Sequence, residues 1–320
     1  MSKYILKRLL HMIPVILVIS ICIFGIIKLA PGSPVGTNLD PRATPEQKAM
    51  EKERLGLDKP LHIQYTMWLS RVAQGDLGKS FIYQKPVKDV IGPYLKNTFI
   101  LNIPVFILAF GISIPVGIHS AVKRYSIFDN FWTVFSLVGI SIPSFFFALL
   151  LIYTFAVKIQ ILPINGMVEA GSETSGFAYA VEVAQHMVLP GIVLTIASLA
   201  SYVRYTRNGM LEVINQDYIR TARAKGLNEK VVIYKHGFRN ALLPIVTLLG
   251  YSLIFLLSGS VITETVFNWP GMGRVLLESV TMRDYNLMMA VMMLYAILTL
   301  IGNLLADIGY ALVDPRVKVD

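Results

Sequence analysis

Six apolar runs, each of about 20 residues, dominate the pattern of hydrophobic and polar positions along the chain. A run of that length with few charges is what an α-helix needs to cross the hydrocarbon core of a bilayer. The runs cover Leu9–Leu29, Phe99–Val122, Trp132–Val157, Met187–Val203, Ala241–Thr263 and Leu287–Val313. The pattern therefore predicts an all-α membrane protein with six transmembrane helices.

Composition and charge support this interpretation and add an orientation. Of the 320 residues 54% are hydrophobic and 15% charged, and the mean hydropathy is +0.59, too apolar for an ordinary soluble domain. Lys7 and Arg8 precede the first run, Lys123 and Arg124 follow the second, and a basic loop follows the fourth. By the positive-inside rule these positions are cytosolic, so both termini are expected to be cytosolic. The net charge of +9 is then a sign of topology rather than of nucleic-acid binding.

The segment between the first two runs is predicted to be external and structured. Thr44-Pro45-Glu46-Gln47 has the form of a capping box that starts a helix, and Gly56 is placed to end it. A second helix is predicted over Pro60–Ala73, with the apolar stripe Leu61, Tyr65, Trp68 and Val72. Packing on the spans is favoured over lying flat on the bilayer because the stripe is short. We divide the chain into residues 1–98, an N-terminal span with this segment, and a five-helix core over residues 99–320.

The cytosolic loop Arg204–Asn240 is the most unusual stretch. Its eight basic and three acidic residues leave a net charge of +5. Asp217 is a candidate N-cap for a short helix over Tyr218–Lys225, and Gly226 is a candidate left-handed stop. Small and apolar groups at Ile219, Ala222 and Ala224 interrupt the basic surface. Asn228 can cap a second helix, whose apolar side is predicted to consist of Val231, Val232 and Phe238. The loop has the pattern of a surface that another protein binds.

Polar residues within or between the spans are candidates for a gate or a pathway. The external link Glu264–Arg274 contains Trp269, Pro270 and Gly271, which predict a turn near the outer end of a pathway. Alternatively, Trp269 is an interfacial anchor at the headgroups. In the last span, Asn303 and Asp307 need partners in a bundle or a wet cavity, and Asp307 could also pair with the basic loop.

Other chemistries find little support. Ala73–Ser80 satisfies a relaxed phosphate-loop pattern, but no buried strand is predicted before it and no helix after it. The single cysteine, Cys22, lies in the first span, and the five histidines are scattered. There is no His-Glu-x-x-His or Gly-x-Ser-x-Gly motif of a membrane hydrolase. A DNA-binding helix-turn-helix is excluded because the basic loop is tethered between two spans.

Several stretches resemble one family, the permease subunits of ATP-binding-cassette importers. Arg220-Thr221-Ala222 and Gly226 match the Glu-Ala-Ala loop of that family, and Leu243-Pro244 matches the Leu-Pro pair that ends this loop. The first glutamate is replaced by Arg220 and the glycine-to-proline spacing is longer, as in the peptide/nickel branch. Further matches lie at Lys3–Leu10 continuing to Leu29–Pro34, at Gly75–Ser80, at Arg283–Tyr285 and at Leu312–Arg316.

The resemblance implies a type I importer permease in a bacterial or archaeal inner membrane. Its expected partners are a second permease, two ATP-binding subunits that carry ATP and Mg²⁺, an external solute-binding protein and a peptide cargo. No cofactor is expected in this chain. The implied coupling residues are Asp217, Tyr218, Ile219, Arg220, Thr221, Ala222, Arg223, Ala224, Lys225 and Gly226. Nickel chelate, glutathione or oligosaccharide remain alternative cargoes. An ion-coupled secondary transporter is the alternative of a different class, although no internal repeat is evident.

Overall fold

The computed structural model describes residues 2–29, 44–54 and 56–313. Four long apolar helices are each long enough to cross a membrane: α1 (Ser2–Leu29), α4 (Val87–Val122), α7 (Gly176–Ile214) and α13 (Tyr285–Val313). A fifth span, Ile245–Val266, combines most of α10 (Arg239–Ser258) with α11 (Val261–Val266). Two short helices of the external segment, α2 (Pro45–Arg54) and α3 (Leu61–Ala73), lie between α1 and α4.

The third predicted span is a bent pair of helices. Instead of one helix over Trp132–Val157, the chain forms α5 (Ile127–Ser141) and α6 (Ser144–Leu151), which continues as a π-helical stretch over Ile152–Lys158. The two halves meet at an angle of 99°. Pro143 disfavours helical geometry at the preceding residue, and Ile142 is extended, with φ −74° and ψ 124°.

Two spans extend well beyond their apolar runs. α4 begins at Val87 rather than near Phe99, and α7 runs from Gly176 to Ile214 rather than from Met187 to Val203. Hydropathy identifies only the part of a helix that needs an apolar surrounding, so the polar ends were missed. The predicted boundary between residues 98 and 99 falls inside α4, so the chain is one continuous helix across it.

The helices approach closely where glycines face them. α4 and α7 pack along each other more extensively than any other pair of described helices. α10 and α13 cross at Gly250 and Gly302, where a Cβ added to either glycine would lie 2.8 Å from the other's carbonyl oxygen. Close backbone contact of this kind provides van der Waals attraction between membrane helices, where the hydrophobic effect does not act between them.

The segment between α1 and α4 packs on the bundle through α3, as predicted. The backbone N–H of Thr44 donates to the Gln47 side chain at 2.9 Å, and the N–H of Gln47 donates to the Thr44 hydroxyl at 3.3 Å, which confirms the capping box. Trp68 is buried among Phe24 and Met289, although Leu61 of the predicted stripe is exposed. α3 therefore contacts both α1 and α13 through its apolar face.

Candidate functional site: the coupling helix and the outer segment

The predicted short helix of the basic loop exists, shifted by one residue. α8 covers Asp217–Ala224, and its N-cap is Gln216 rather than the predicted Asp217. Asp217 lies in the first turn, where an acidic side chain interacts favourably with the helix dipole. Gly226 has φ +75°, which confirms the left-handed stop.

The two apolar side chains of α8 face the chain's own core. Ile219 and Ala222 are 1% and 6% exposed and pack with Met210, Val213 and Ile233. The prediction that the small Ala222 side chain lies at the contact with a partner therefore needs correction. Its small size fits close packing between α8 and the adjoining end of the bundle, which holds the helix in place.

The opposite face of α8 is open and basic. Tyr218, Arg220, Thr221, Ala224 and Lys225 are exposed. Next to this face, Arg223 donates to both carboxylate oxygens of Glu229, with the shortest contact at 2.7 Å. These hydrogen bonds raise the pKa of Arg223 and lower the pKa of Glu229, so both remain charged. The face could receive a partner with an acidic or polar groove.

Beyond α8 the chain returns directly into the fifth span. Asn228 caps α9 (Glu229–Val231) by accepting the N–H of Lys230 at 2.9 Å, as predicted. α9 continues through a π-helical stretch, Val232–Phe238, into α10 without a break. Val232 is fully buried and Phe238 half-buried, but Val231 is exposed and does not belong to the apolar side. α8 is thus attached to α7 at one end and to α10 at the other.

A buried ion pair fixes the C-terminal part of α7, which leads into α8. Arg207 donates to both oxygens of Asp129 at 2.5 and 2.9 Å, and the N–H of Tyr125 also donates to Asp129. The Asp129 side chain is 1% exposed. The prediction counted Arg207 as part of a solvated basic loop and missed this contact. The available signal was the acid Asp129 at the edge of an otherwise apolar run.

The outer segment is built around a buried carboxylate. Glu264 is fully buried, and its Oε2 accepts the N–H groups of Gly273 and Arg274 at 2.7 and 3.2 Å. These belong to the first turn of α12 (Met272–Thr281). The Thr98 hydroxyl donates to Glu264 Oε1 at 3.0 Å and accepts the N–H of Met272 at 2.7 Å. Glu264 therefore caps α12 inside the protein.

Trp269, Pro270 and Gly271 join the same network. Trp269 is fully buried and donates through Nε1 to the carbonyl of Asn97 at 3.1 Å, so it is not an interfacial anchor. The carbonyl of Pro270 accepts the Asn97 amide at 3.0 Å. The turn does not depend on a left-handed Gly271, whose φ is −118°. Space is the constraint there, because an added Cβ would lie 2.5 Å from the Glu264 carboxyl carbon.

The two polar residues of α13 are separate from this network. Asp307 pairs with Arg8 at 2.9 Å, and not with the basic loop. Asn303 is exposed on the surface of the chain. The structure thus brings together four of the six gate candidates, Glu264, Trp269, Pro270 and Gly271, and leaves Asn303 and Asp307 apart.

Comparison with known proteins places this architecture in a family. Residues 113–319 match the family described as binding-protein-dependent transport system inner membrane component, and residues 1–102 match the corresponding N-terminal region. The chain belongs to this family. As such an inner membrane component it is a multi-pass membrane protein that acts together with ATPase and solute-binding subunits.

Relatives of this permease cover its full length. It is 42% identical over 319 residues to the oligopeptide transport system permease protein AppB of Bacillus subtilis (strain 168), covering 99% of this chain and 100% of AppB. It is 40% identical over 332 residues to the dipeptide transport system permease protein DppB of Alkalihalophilus pseudofirmus, covering 99% of this chain and 100% of DppB. It is 37% identical over 318 residues to the glutathione transport system permease protein GsiC of Salmonella typhimurium (strain LT2), covering 99% of each chain.

A solved structure shows the same fold. An inward-facing conformation of the MetNI methionine ABC transporter superposes with a TM-score of 0.54 at 19% identity, covering 70% of this chain and 96% of that chain. The likeness confirms the predicted type I importer permease fold.

Two separated stretches that carried the family resemblance meet in this permease. Asp284 is fully buried and accepts the Ser80 hydroxyl at 2.6 Å and the N–H of Phe81 at 2.7 Å. Residues after Ser80 form a turn rather than a helix, so Ala73–Ser80 lacks the geometry of a phosphate loop. Two other stretches, Leu29–Pro34 and Leu312–Arg316, extend outside the described residues.

Proposed function

We propose that this chain forms half of the translocation pathway of an ATP-driven importer of peptides. The relatives at 37–42% identity are named for oligopeptide, dipeptide and glutathione transport, and all three cargoes are peptides. A second, homologous permease completes the pathway. An external solute-binding protein delivers the cargo, and two ATP-binding subunits bind ATP and Mg²⁺. The proposal assigns nucleotide binding to those subunits and no cofactor to this chain.

The observation that carries the proposal is the attachment of α8. The helix is seated on the core by Ile219 and Ala222, while its basic face is open. Because it lies between α7 and the continuous α9–α10 unit, a displacement of α8 by an ATPase would move both spans. ATP-driven closure of the ATPases would thereby shift the bundle between two states.

The contacts also support the proposed orientation. Arg8 near the start of α1 binds Asp307 near the end of α13. Two residues further, Gly309 packs against Val246, near the start of α10 and therefore close to α9 and α8. The described ends of the chain thus lie on the same side of the bundle as α8. Since α8 receives the ATPases, we place both termini in the cytosol of a bacterial or archaeal cell.

Uptake by the reconstituted complex tests this function. The complete complex, in proteoliposomes loaded with ATP, is expected to take up labelled di- and tripeptides and to be inhibited by unlabelled ones. ADP-loaded vesicles are the control. Saturable uptake of only a nickel chelate or an oligosaccharide would contradict the peptide cargo. Uptake that needs an ion gradient and persists without the ATPases would instead support a secondary transporter.

A further inference from the structure

A cavity of about 400 Å³ lies between the middle of α7 and the middle of α10. Its α7 wall runs from Val193 to Tyr202 and its α10 wall from Leu248 to Phe255. Ser144, the first residue of α6, contributes to one side, and Ser260, which precedes α11, contributes to another. The cavity is separate from α8 but borders the Glu264 network, because Ser260 on its wall accepts the N–H of Glu264 at 2.9 Å.

Most of the residues that line this cavity carry a hydroxyl group. Eight of its thirteen lining residues are Ser, Thr or Tyr, and none of the thirteen is charged. The Ser252 hydroxyl donates to the carbonyl of Leu248 at 2.7 Å, and the Tyr202 hydroxyl lies 2.6 Å from the Ser252 oxygen. The Ser201 hydroxyl donates to the carbonyl of Ala197 at 3.4 Å. A serine that donates to its own helix keeps a lone pair, so such a wall offers weak acceptors for N–H groups.

The open side of the cavity differs from the outer surface of the bundle. Tyr251, on the cavity wall, is 57% exposed, and Ala197 is exposed beside Ser198 and Ser201. The exposed side chains of α5 and α6, in contrast, are residues such as Phe131, Phe145 and Phe146, which suit lipid tails. Hydroxyl groups at membrane depth are stable against water or a polar partner rather than against hydrocarbon. The cavity therefore faces a wet space.

We infer that this hydroxyl-lined cavity contacts the cargo and recognises the peptide main chain without selecting for side-chain charge. Peptide N–H groups find acceptors along both walls, whereas a wall without fixed charges neither holds nor repels an acidic or basic side chain. Weak, distributed contacts also let the cargo leave, as a pathway requires. This inference rests on the proposed function and adds to it the residues and the kind of recognition.

A single charge placed on the wall tests the inference. In the complete complex, uptake of Ala-Lys-Ala and Ala-Glu-Ala is measured for the wild type and for Ser201→Asp. Normalising each peptide to the wild type removes the preference of the binding protein. We expect Ser201→Asp to shift the uptake ratio about tenfold or more in favour of Ala-Lys-Ala, because a carboxylate on the wall attracts the lysine ammonium and repels the glutamate carboxylate at short range.

Two variants serve as controls. Ser201→Asn has nearly the same shape without the charge and should keep the ratio within about twofold of the wild type. Ser70→Asp adds the same charge to the exposed face of α3, far along the chain from the cavity, and should also keep the ratio. A Ser201→Asp complex that transports with an unchanged ratio would overturn the inference, whereas a wild type that transports neither peptide would overturn the proposed function.

If Ser201→Asp fails to assemble, the charge can be added afterwards. Ser201→Cys in a Cys22→Ala background, treated with an aminoethyl methanethiosulfonate after assembly, places a cation at the same site. Preferential loss of Ala-Lys-Ala uptake would support the inference. A cysteine that does not react, or one that reacts without changing the ratio, would refute it.

Discussion

The carboxylate of Glu264 accepts N–H groups at the start of a buried helix, a role that a serine side chain or water has at most helix starts. It receives two N–H groups of the first turn of α12, and Thr98 of α4 receives a third. The first N–H groups of a helix have no acceptor within the helix, so burying them without another partner costs free energy. Glu264 therefore joins three separate parts of the chain, and every atom near it is tightly constrained.

Gly271→Ala should destabilise this network by steric overlap. The new Cβ would lie 2.5 Å from the Glu264 carboxyl and 2.6 Å from the Thr98 hydroxyl. Overpacking of this kind typically costs about 1–3 kcal/mol. The measurement is the thermal unfolding midpoint of the purified complex, with Gly191→Ala in α7 as control, since no atom lies within 4 Å of a Cβ there. Equal midpoints for the two variants would show that the segment adapts freely.

At Gly226 the need for a left-handed backbone conformation can be tested without steric crowding. No atom lies within 4 Å of a Cβ added there, yet φ is +75°. Gly226→Val should cost roughly 1–2 kcal/mol and misdirect the exit of α8, whereas Gly226→Asn should be tolerated better. The measurement is co-purification of the ATPase subunits with each variant. Equal recovery with valine and asparagine would rule out a need for the left-handed conformation.

At the scale of elements, the two faces of α8 have different partners. Ala222 faces the chain's own core and Ala224 faces solvent, only two residues apart. A large or charged group should therefore have a different effect at each position, and the difference separates folding of the permease from docking of the ATPase.

Ala222→Glu should unfold or misfold the permease itself. A carboxylate without a counter-ion would enter the cluster of Ile219, Met210 and Val213, at a cost of several kcal/mol. Ala224→Glu should leave the permease monodisperse in detergent but weaken co-purification of the ATPases, because it adds a negative charge to a basic docking face. Gel filtration of the permease expressed alone separates the two effects. A folded Ala222→Glu permease that loses only its ATPases would put the docking face on the other side of α8.

Hydropathy predicted the spans because lipid requires about 20 apolar residues in a row. It could not predict the first twelve residues of α4, Val87–Thr98, because exposed charged residues such as Lys88 and Asp89 interrupt the buried apolar ones there. Nor could it predict the burial of Glu264, which depends on Thr98, 166 positions away. Local signals such as the Thr44 capping box and the Gly226 stop were predicted correctly because a few adjacent residues determine them.

At the scale of the whole molecule, ion pairs connect spans that are distant in sequence. Asp129 and Arg207 join the start of α5 to the C-terminal part of α7, and Arg8 and Asp307 join α1 to α13. The first pair is almost fully withdrawn from water on the Asp129 side, whereas half of the Arg8 side chain is exposed. Their contributions to stability should therefore differ, although both close a contact between helices.

Asp129→Asn should destabilise the permease far more than Asp307→Asn. Removing one partner of a buried pair leaves the other charge uncompensated and typically costs about 3–5 kcal/mol, whereas exposed pairs contribute about 0–1 kcal/mol. Asp129→Asn would also weaken the acceptor for the N–H of Tyr125. Because Arg207 orients the part of α7 that leads into α8, we expect lower ATPase coupling as well as a lower unfolding midpoint.

The double variant Asp129→Asn, Arg207→Gln provides the decisive comparison. It removes the uncompensated charge, so it should recover part of the stability lost in Asp129→Asn, and a double-mutant cycle gives the interaction energy of the pair. Recovery of the midpoint without recovery of coupling would show that the pair positions α7 for α8 in addition to stabilising the fold. If instead Asp129→Asn and Asp307→Asn shift the midpoint equally, the Asp129 site is hydrated in the membrane, and the pair does not hold α7 in place.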